Sequence, residues 1–300
     1  MQVFETLDLP AQPACSVALG AFDGLHRGHM AVIQAALATR LEPAVCTFRS
    51  SPSGEPMLAT PAHKALLLRQ AGVRRLYTLD FPSVKAMPPQ TFVEDVLFRR
   101  LHARHLCCGE DFRFGHAASG DANLLAQLCR AGGVTLSVLP PVTEGGEKIS
   151  STRIRQAIRG GDIPLANRLL GRPFGFTLEV IHGNHLGSTQ LGAPTINQAL
   201  PAGFVLPRFG VYAAWCRVGG QAYYGVCNIG VKPTVGSDCV LAETWMPDFS
   251  GDLYGQEIPV SLLAFIRPER KFPSLEELRA EIHRNARQAQ AIAQTLQTAP

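Results

Sequence analysis

Three hundred residues exceed what one hydrophobic core usually serves, so two domains are expected. A hydrophobic fraction of 46% against 17% charged is an ordinary globular balance with enough apolar surface for sizeable cores. The net charge of +4 suits phosphate-bearing small substrates and falls short of the dense basic stripe of a nucleic-acid binder.

Residues 1–10 lack a basic start followed by an apolar core, so no secretory leader is expected. Residues 16–19 read as a buried strand, followed by a glycine turn and a helix over 29–39. Strands at 44–48, 75–79, 105–108 and 135–139 then alternate with helices at 62–71, 89–101 and 121–131. Strict alternation predicts a parallel sheet covered on both faces, with ligands at the carboxyl ends of its strands. The cationic run from Arg99 to His105 reads as a solvated helix face.

After Pro173 the pattern changes to glycine- and proline-rich, short alternating segments at 178–181, 211–218, 222–227, 240–245 and 260–265. These predict an antiparallel sandwich or barrel. A last helix, 274–294, opens on a Ser274/Glu277 capping box. The eight cysteines lie in or beside apolar runs and form no Cys-x-x-Cys pair, so free buried thiols in a reducing cytoplasm are expected. No apolar stretch approaches the roughly 20 residues of a bilayer span, so no membrane partner is expected.

The chemistry concentrates first in Gly20-Ala21-Phe22-Asp23-Gly24-Leu25-His26-Arg27-Gly28-His29, between strand and helix. Gly24 and Gly28 permit close backbone approach to a ligand, and the helix start presents free amides to an anion. His26 and His29 add donors that can follow charge onto a phosphoryl group, each bond worth roughly 1.5–3 kcal/mol. A lone His-x-x-His is more often a helix cap; the ordered strand, glycine turn, His-x-Gly-His and helix favour ATP chemistry. The loop resembles the nucleotidyltransferase motif. A second segment, Ser150-Ser151-Thr152-Arg153-Ile154-Arg155, heads another helix and suits the phosphates that leave as pyrophosphate.

Further along, Gly109-Glu110-Asp111-Phe112-Arg113-Phe114-Gly115 resembles a segment of bacterial FAD synthetases, as does the stretch from Gly161 to Pro173. The second half is similar to a riboflavin kinase through Pro194-Thr195-Ile196-Asn197 and Asn228-Ile229-Gly230-Val231-Lys232-Pro233-Thr234. It continues with Glu243, Asp248 to Gly255, and Phe265-Ile266-Arg267-Pro268-Glu269. Nearly the whole chain thus resembles the bifunctional bacterial riboflavin kinase/FAD synthetase family.

The resemblance implies a Rossmann-like FMN adenylyltransferase domain over 1–173 and a riboflavin-kinase β-barrel with a terminal helix over 174–300. It implies riboflavin, FMN and FAD as substrates or products, with ATP and Mg²⁺. Glu243 matches the family's general base, and Thr195 and Asn197 match residues that bind Mg²⁺ with the ATP phosphates. His26 and His29 fit the transferring phosphate. Gly20, Phe22, Asp23, Gly24 and Gly28 belong to the same ATP loop, Ser150 to Arg155 fit the departing phosphates, and Asp111 and Phe112 fit the flavin pocket.

Two segments depart from the family pattern. After the second strand, Thr47-Phe48-Arg49-Ser50-Ser51-Pro52 lacks a proline and a histidine common in the family. Gly187 to Pro194 lacks the family's arginines, a loss worth on the order of 100-fold in kinase rate if one faced phosphate. Two alternatives therefore stand beside the bifunctional enzyme. One is a paralogue with adenylyl transfer but a lost or redirected kinase; the other is a non-catalytic flavin- or nucleotide-binding regulator.

Overall fold

A computed structural model describes residues 1–8, 12–49, 54–182, 195–234 and 237–297. Of the two divergent segments, Ser50 to Pro52 and Gly187 to Pro194 lie outside the described residues. The chain divides into two compact units, Met1–Ser151 and Thr152–Pro300.

The first unit is built on six strands: β1 (Gln2–Phe4), β2 (Cys15–Leu19), β3 (Glu42–Phe48), β4 (Arg75–Leu79), β5 (Ala103–Gly109) and β6 (Thr135–Leu139). Their order is β1-β4-β3-β2-β5-β6, every pair parallel. The predicted α/β sheet is borne out. The chain order reverses between β2 and β5, which makes the crevice beyond their carboxyl ends the natural ligand position.

Burial on both faces explains the apolar runs. Val17 and Leu19 of β2 join Val93, Val96 and Leu97 on one side, while Ala18 joins Val32, Ile33 and Ala36 on the other. The covering helices are α1 (Arg27–Leu37), α2 (Pro61–Gln70), the short α3 (Phe81–Val84) and α4 (Pro89–Thr91), and α5 (Ala122–Ala131). From α4 the chain runs on into a wide-turn helix, Phe92–Arg100, whose end is closed by Leu101 N–H donating to Val96 O, five residues back, at 3.0 Å.

Differences from the sequence expectation have local causes. Helix α1 starts two residues before the predicted 29 because the His26 side chain caps it. Strand β1 has three residues, too few to show a period, and is held by pairing with β4. A hairpin of β7 (Thr143–Glu144) and β8 (Glu147–Lys148) turns on Gly145 and Gly146, with φ of +63° and +81°. That is a turn only glycine-like residues adopt readily.

Helix α6 (Ser151–Gly160) starts at the junction and is followed by α7 (Ile163–Leu170). The second unit continues with β9 (Phe174–Glu179), β10 (Thr195–Ala199), β11 (Gly210–Val218), β12 (Gln221–Thr234), β13 (Ser237–Trp245) and β14 (Glu257–Arg267). These pair antiparallel in the order β10-β13-β12-β11-β14-β9. The sheet curls until its ends meet. Ile181 bridges Asn197, and the buried Gln198 Nε2 donates to Leu178 O at 2.6 Å and Ile258 O at 2.8 Å.

Strand β9 begins four residues before the predicted 178, at the first residue of the expected second domain. Helix α8 (Leu275–Gln297) lays Ala286, Ala289 and Ala293 on Val211, Ala213, Val226 and Trp245. Ser274 Oγ accepts the Glu277 N–H at 3.2 Å, half of the expected capping box.

Candidate active sites

In the first unit the Gly20–His29 loop emerges from the carboxyl end of β2. Phe22 and Leu25 take left-handed backbone angles, φ 47° and 46°, each costing on the order of 1 kcal/mol. The turn is pinned from behind. Ala21 O accepts from Thr47 Oγ1 at 2.7 Å and from Lys64 Nζ at 3.3 Å. Asp23 Oδ1 accepts the Leu58 N–H at 2.9 Å, and Ser151 Oγ donates to Asp23 O at 3.0 Å.

His26 does cap the helix: its Nδ1 accepts the His29 N–H at 3.2 Å. Its ring also stacks on His29 with centroids 3.5 Å apart, and Phe22 meets the His29 ring edge-on at 5.3 Å. Burial holds the His29 imidazole well below the ordinary histidine range, and the neighbouring His26 and Lys64 push it further down. His29 is therefore neutral at pH 7, and its Nδ1 is buried with no hydrogen-bond partner among the described residues.

Gly20, Phe22, His26, Gly28, His29, Asp111, Phe112, Ser150 and Ser151 all line one cavity of about 940 Å³. Asp23 and Gly24 are buried within the turn that shapes it. Thr152, Arg153 and Arg155 continue along α6 in the second unit, where Arg155 is buried.

The cavity lining includes polar groups: the two histidines, the serines and Lys148. It also includes the aromatic rings of Phe48, Phe81, Phe92, Phe112 and Phe114. Phe112 and Phe114 stack at 5.6 Å, and Phe48 meets Phe81 edge-on at 5.2 Å.

Sequence reasoning missed Lys148 and Lys64. Lys148 pairs with Asp111 across the cavity wall, and only its position two residues before Ser150 hinted at a role. Desolvation raises the Asp111 carboxyl, but the Lys148 ammonium outweighs it and leaves the group below its ordinary value. Lys64 lies on an unremarkable helical stretch; burial lowers its pKa, against the pull of Asp23. No local signal marked it.

In the second unit the register builds a row across five strands that is polar at every position but Val211. Asn197 of β10 pairs with Glu243 of β13, Glu243 with Asn228 of β12, Asn228 with Val211 of β11, and Val211 with Arg267 of β14. Directly opposed residues have Cβ atoms roughly 5 Å apart, so Asn197 and Asn228 flank the Glu243 carboxylate. A register shift beside Val211 sets Arg267 at the end of the row. There its Nε donates to Asn285 Oδ1 at 3.1 Å and pairs with Glu281 at 3.3 Å, tying α8 to the row. Thr195 lies two residues from Asn197, on the same face of β10.

Family models for FAD synthetase and riboflavin kinase match residues 8–153 and 170–293. The chain is 36% identical to the bifunctional riboflavin kinase/FMN adenylyltransferase of Pseudomonas fluorescens, over 95% of this chain and 94% of that one. The chain belongs to the bifunctional riboflavin kinase/FMN adenylyltransferase family. The Bacillus subtilis (strain 168) relative of the same name is 37% identical, over 91% of this chain and 90% of its own.

A solved structure described as a macrolide-efflux protein from Streptococcus pneumoniae matches with a TM-score of 0.85 at 30% identity. It covers 95% of this chain and 97% of that one. Among the described residues here, no helix is long and apolar enough to cross a membrane. The family expected from the sequence is thus borne out, and the chain is an enzyme with both family domains; neither alternative gains support.

Proposed function

We propose that this riboflavin kinase/FMN adenylyltransferase family member carries out both family reactions in succession, with residues 1–173 serving adenylyl transfer and 174–300 the kinase. The observation that carries the first reaction is the convergence of His26, His29, Ser150, Ser151, Asp111 and Phe112 on one cavity. An FMN phosphate oxygen attacks the α-phosphorus of ATP, the bond to the β-phosphate oxygen breaks, and pyrophosphate leaves with FAD formed. The attacking oxygen is already anionic, so no base is required; positioning and charge stabilisation supply the rate.

Neutral His29, with His26 stacked on it, offers imidazole hydrogen bonds to the transferring phosphate. Ser150, Ser151 and Thr152 at the start of α6, with Arg153 and Arg155, take the departing pyrophosphate. Gly20, Phe22, Asp23, Gly24 and Gly28 hold the ATP-side turn. The aromatic wall with Phe112 receives the flat flavin ring, and Asp111 marks its polar edge.

In the second reaction the terminal ribityl hydroxyl of riboflavin attacks the γ-phosphorus of ATP while Glu243 takes its proton, giving FMN and ADP. Among the described residues no cluster of three or more His, Cys, Asp or Glu side chains is arranged to hold a metal ion. The oxygen donors present would instead suit Mg²⁺ arriving with ATP: the Thr195 hydroxyl and the Asn197 amide oxygen would hold it beside the phosphates. Such an ion would supply neutralisation of charge on the phosphates. Small molecules are the partners so required. The free cysteines support a reducing, cytoplasmic setting.

Purified protein with Mg²⁺-ATP and riboflavin, followed by flavin chromatography, is expected to yield FMN and then FAD. With FMN supplied it yields FAD directly. Absence of FAD from both substrates contradicts the proposal.

A further inference from the structure

Two residues of the kinase motifs, Gly230 and Glu269, have no task in the reaction as written. Gly230 lies on β12 two residues beyond Asn228 and is buried. Its φ lies outside the left-handed region, so the backbone does not call for glycine. Space does. A Cβ at Gly230 would lie 2.7 Å from Glu269 Cδ and 2.8 Å from Oε2, well inside van der Waals contact.

The exposed Glu269 side chain therefore seats its carboxylate against the bare Cα of Gly230. From that seat Oε1 accepts a hydrogen bond from Asn228 Nδ2 at 3.3 Å. Asn228 is the residue that pairs in register with Glu243. A carboxylate only accepts, so it dictates which way the amide turns: NH₂ towards Glu269 and the carbonyl oxygen away.

We propose that Glu269 is a positioning residue for riboflavin phosphorylation. Seated in the space Gly230 leaves, it turns Asn228 so that an acceptor oxygen, not a donor, stands beside Glu243. A polyhydroxyl chain lying along that row then meets acceptors on adjacent strands, which orients its terminal hydroxyl towards Glu243. The inference rests on the kinase reading with Glu243 as base. Because Glu269 is exposed and the bond is at a half-exposed amide, the contribution to stability is small and the effect belongs in turnover.

The test uses the full chain and measures FMN formation from riboflavin per folded molecule, with FAD formation from FMN alongside. Glu269→Gln offers Asn228 either a donor or an acceptor, and is expected to lower the kinase kcat about tenfold while the KM for ATP stays within about twofold. Gly230→Ala keeps the carboxylate but occupies its seat, and is expected to give the same loss. In an Asn228→Ala background, Glu269→Gln is expected to cost nothing further. FAD formation from FMN stays at the wild-type rate throughout.

Kinase turnover within about twofold of wild type in Glu269→Gln and Gly230→Ala overturns the role. So does a further full loss in the Asn228→Ala background, or a loss explained entirely by a smaller folded fraction. Glu243→Gln run in parallel separates the premises. If it retains FMN formation, the kinase reading itself fails; if it abolishes FMN formation while Glu269→Gln does not, only the positioning role fails.

Discussion

At the scale of single residues, the helix cap and the proposed phosphate contact, which the sequence presents as rivals, are geometrically compatible in the histidine loop. His26 caps α1 through Nδ1, and the same cap brings its ring onto His29. The resulting burial and the nearby Lys64 keep His29 neutral, with a pH consequence. Above about pH 6.5, the ordinary histidine value, folded and unfolded chains both carry a neutral imidazole. As pH falls through that value the unfolded chain binds a proton that the folded chain refuses, so stability is lost towards acid.

His29→Asn removes this component. Thermal unfolding midpoints of the first unit, followed from pH 7.5 to 5.5, are expected to fall less steeply in the variant than in wild type. Equal slopes contradict the assignment. Gly20, His26, Gly28 and His29 were legible because glycine and histidine at fixed spacing after a strand have few other uses. Lys64 was not, since its importance comes from α2 packing beside the loop, a tertiary fact without a local pattern.

At the scale of elements, the β7–β8 hairpin ties two separated site loops together. Glu144 pairs with Arg27, the first residue of α1, at 2.6 Å, and Lys148 pairs with Asp111, beyond the end of β5. Both pairs are solvent-accessible and contribute little to stability. Their use is geometric: Lys148 is a cation on the cavity wall that an incoming phosphate can share. Lys148→Ala is expected to raise the KM for FMN about tenfold in adenylyl transfer and leave the KM for ATP within about twofold. Steady-state kinetics with each substrate varied in turn checks this, and an unchanged KM for FMN contradicts it.

The hairpin went unpredicted because its strands have two residues each, below any readable period. Strand β10 was likewise missed. It sits at the end of the sheet, and its identity as a strand comes from pairing with β13. The long, strongly periodic elements, such as α8 and β11, were legible because their burial repeats over several turns or pairs.

At the scale of the molecule, the alternating first half and the antiparallel second half were both readable from pattern, because a doubly covered parallel sheet and a curled antiparallel sheet demand different hydrophobic periods. What pattern did not fix was the seam. Composition changes at Pro173, whereas the compact units divide at Ser151/Thr152, because α6 and α7 are amphipathic helices of the second unit that precede its first strand. The Asn197–Glu243–Asn228 row was also invisible as a row: its members are spread from position 197 to position 243 and meet only through strand register.

In the proposed division the two reactions draw on separate residue sets, one at the switch point of the parallel sheet and one across the curled sheet. The most direct test of that division measures both activities in each of two variants, His29→Ala and Glu243→Gln, by chromatography of flavins formed from riboflavin and from FMN. The expected result is reciprocal: His29→Ala still makes FMN but no FAD, and Glu243→Gln still converts FMN to FAD but makes no FMN from riboflavin. Equal loss of both activities in both variants contradicts it.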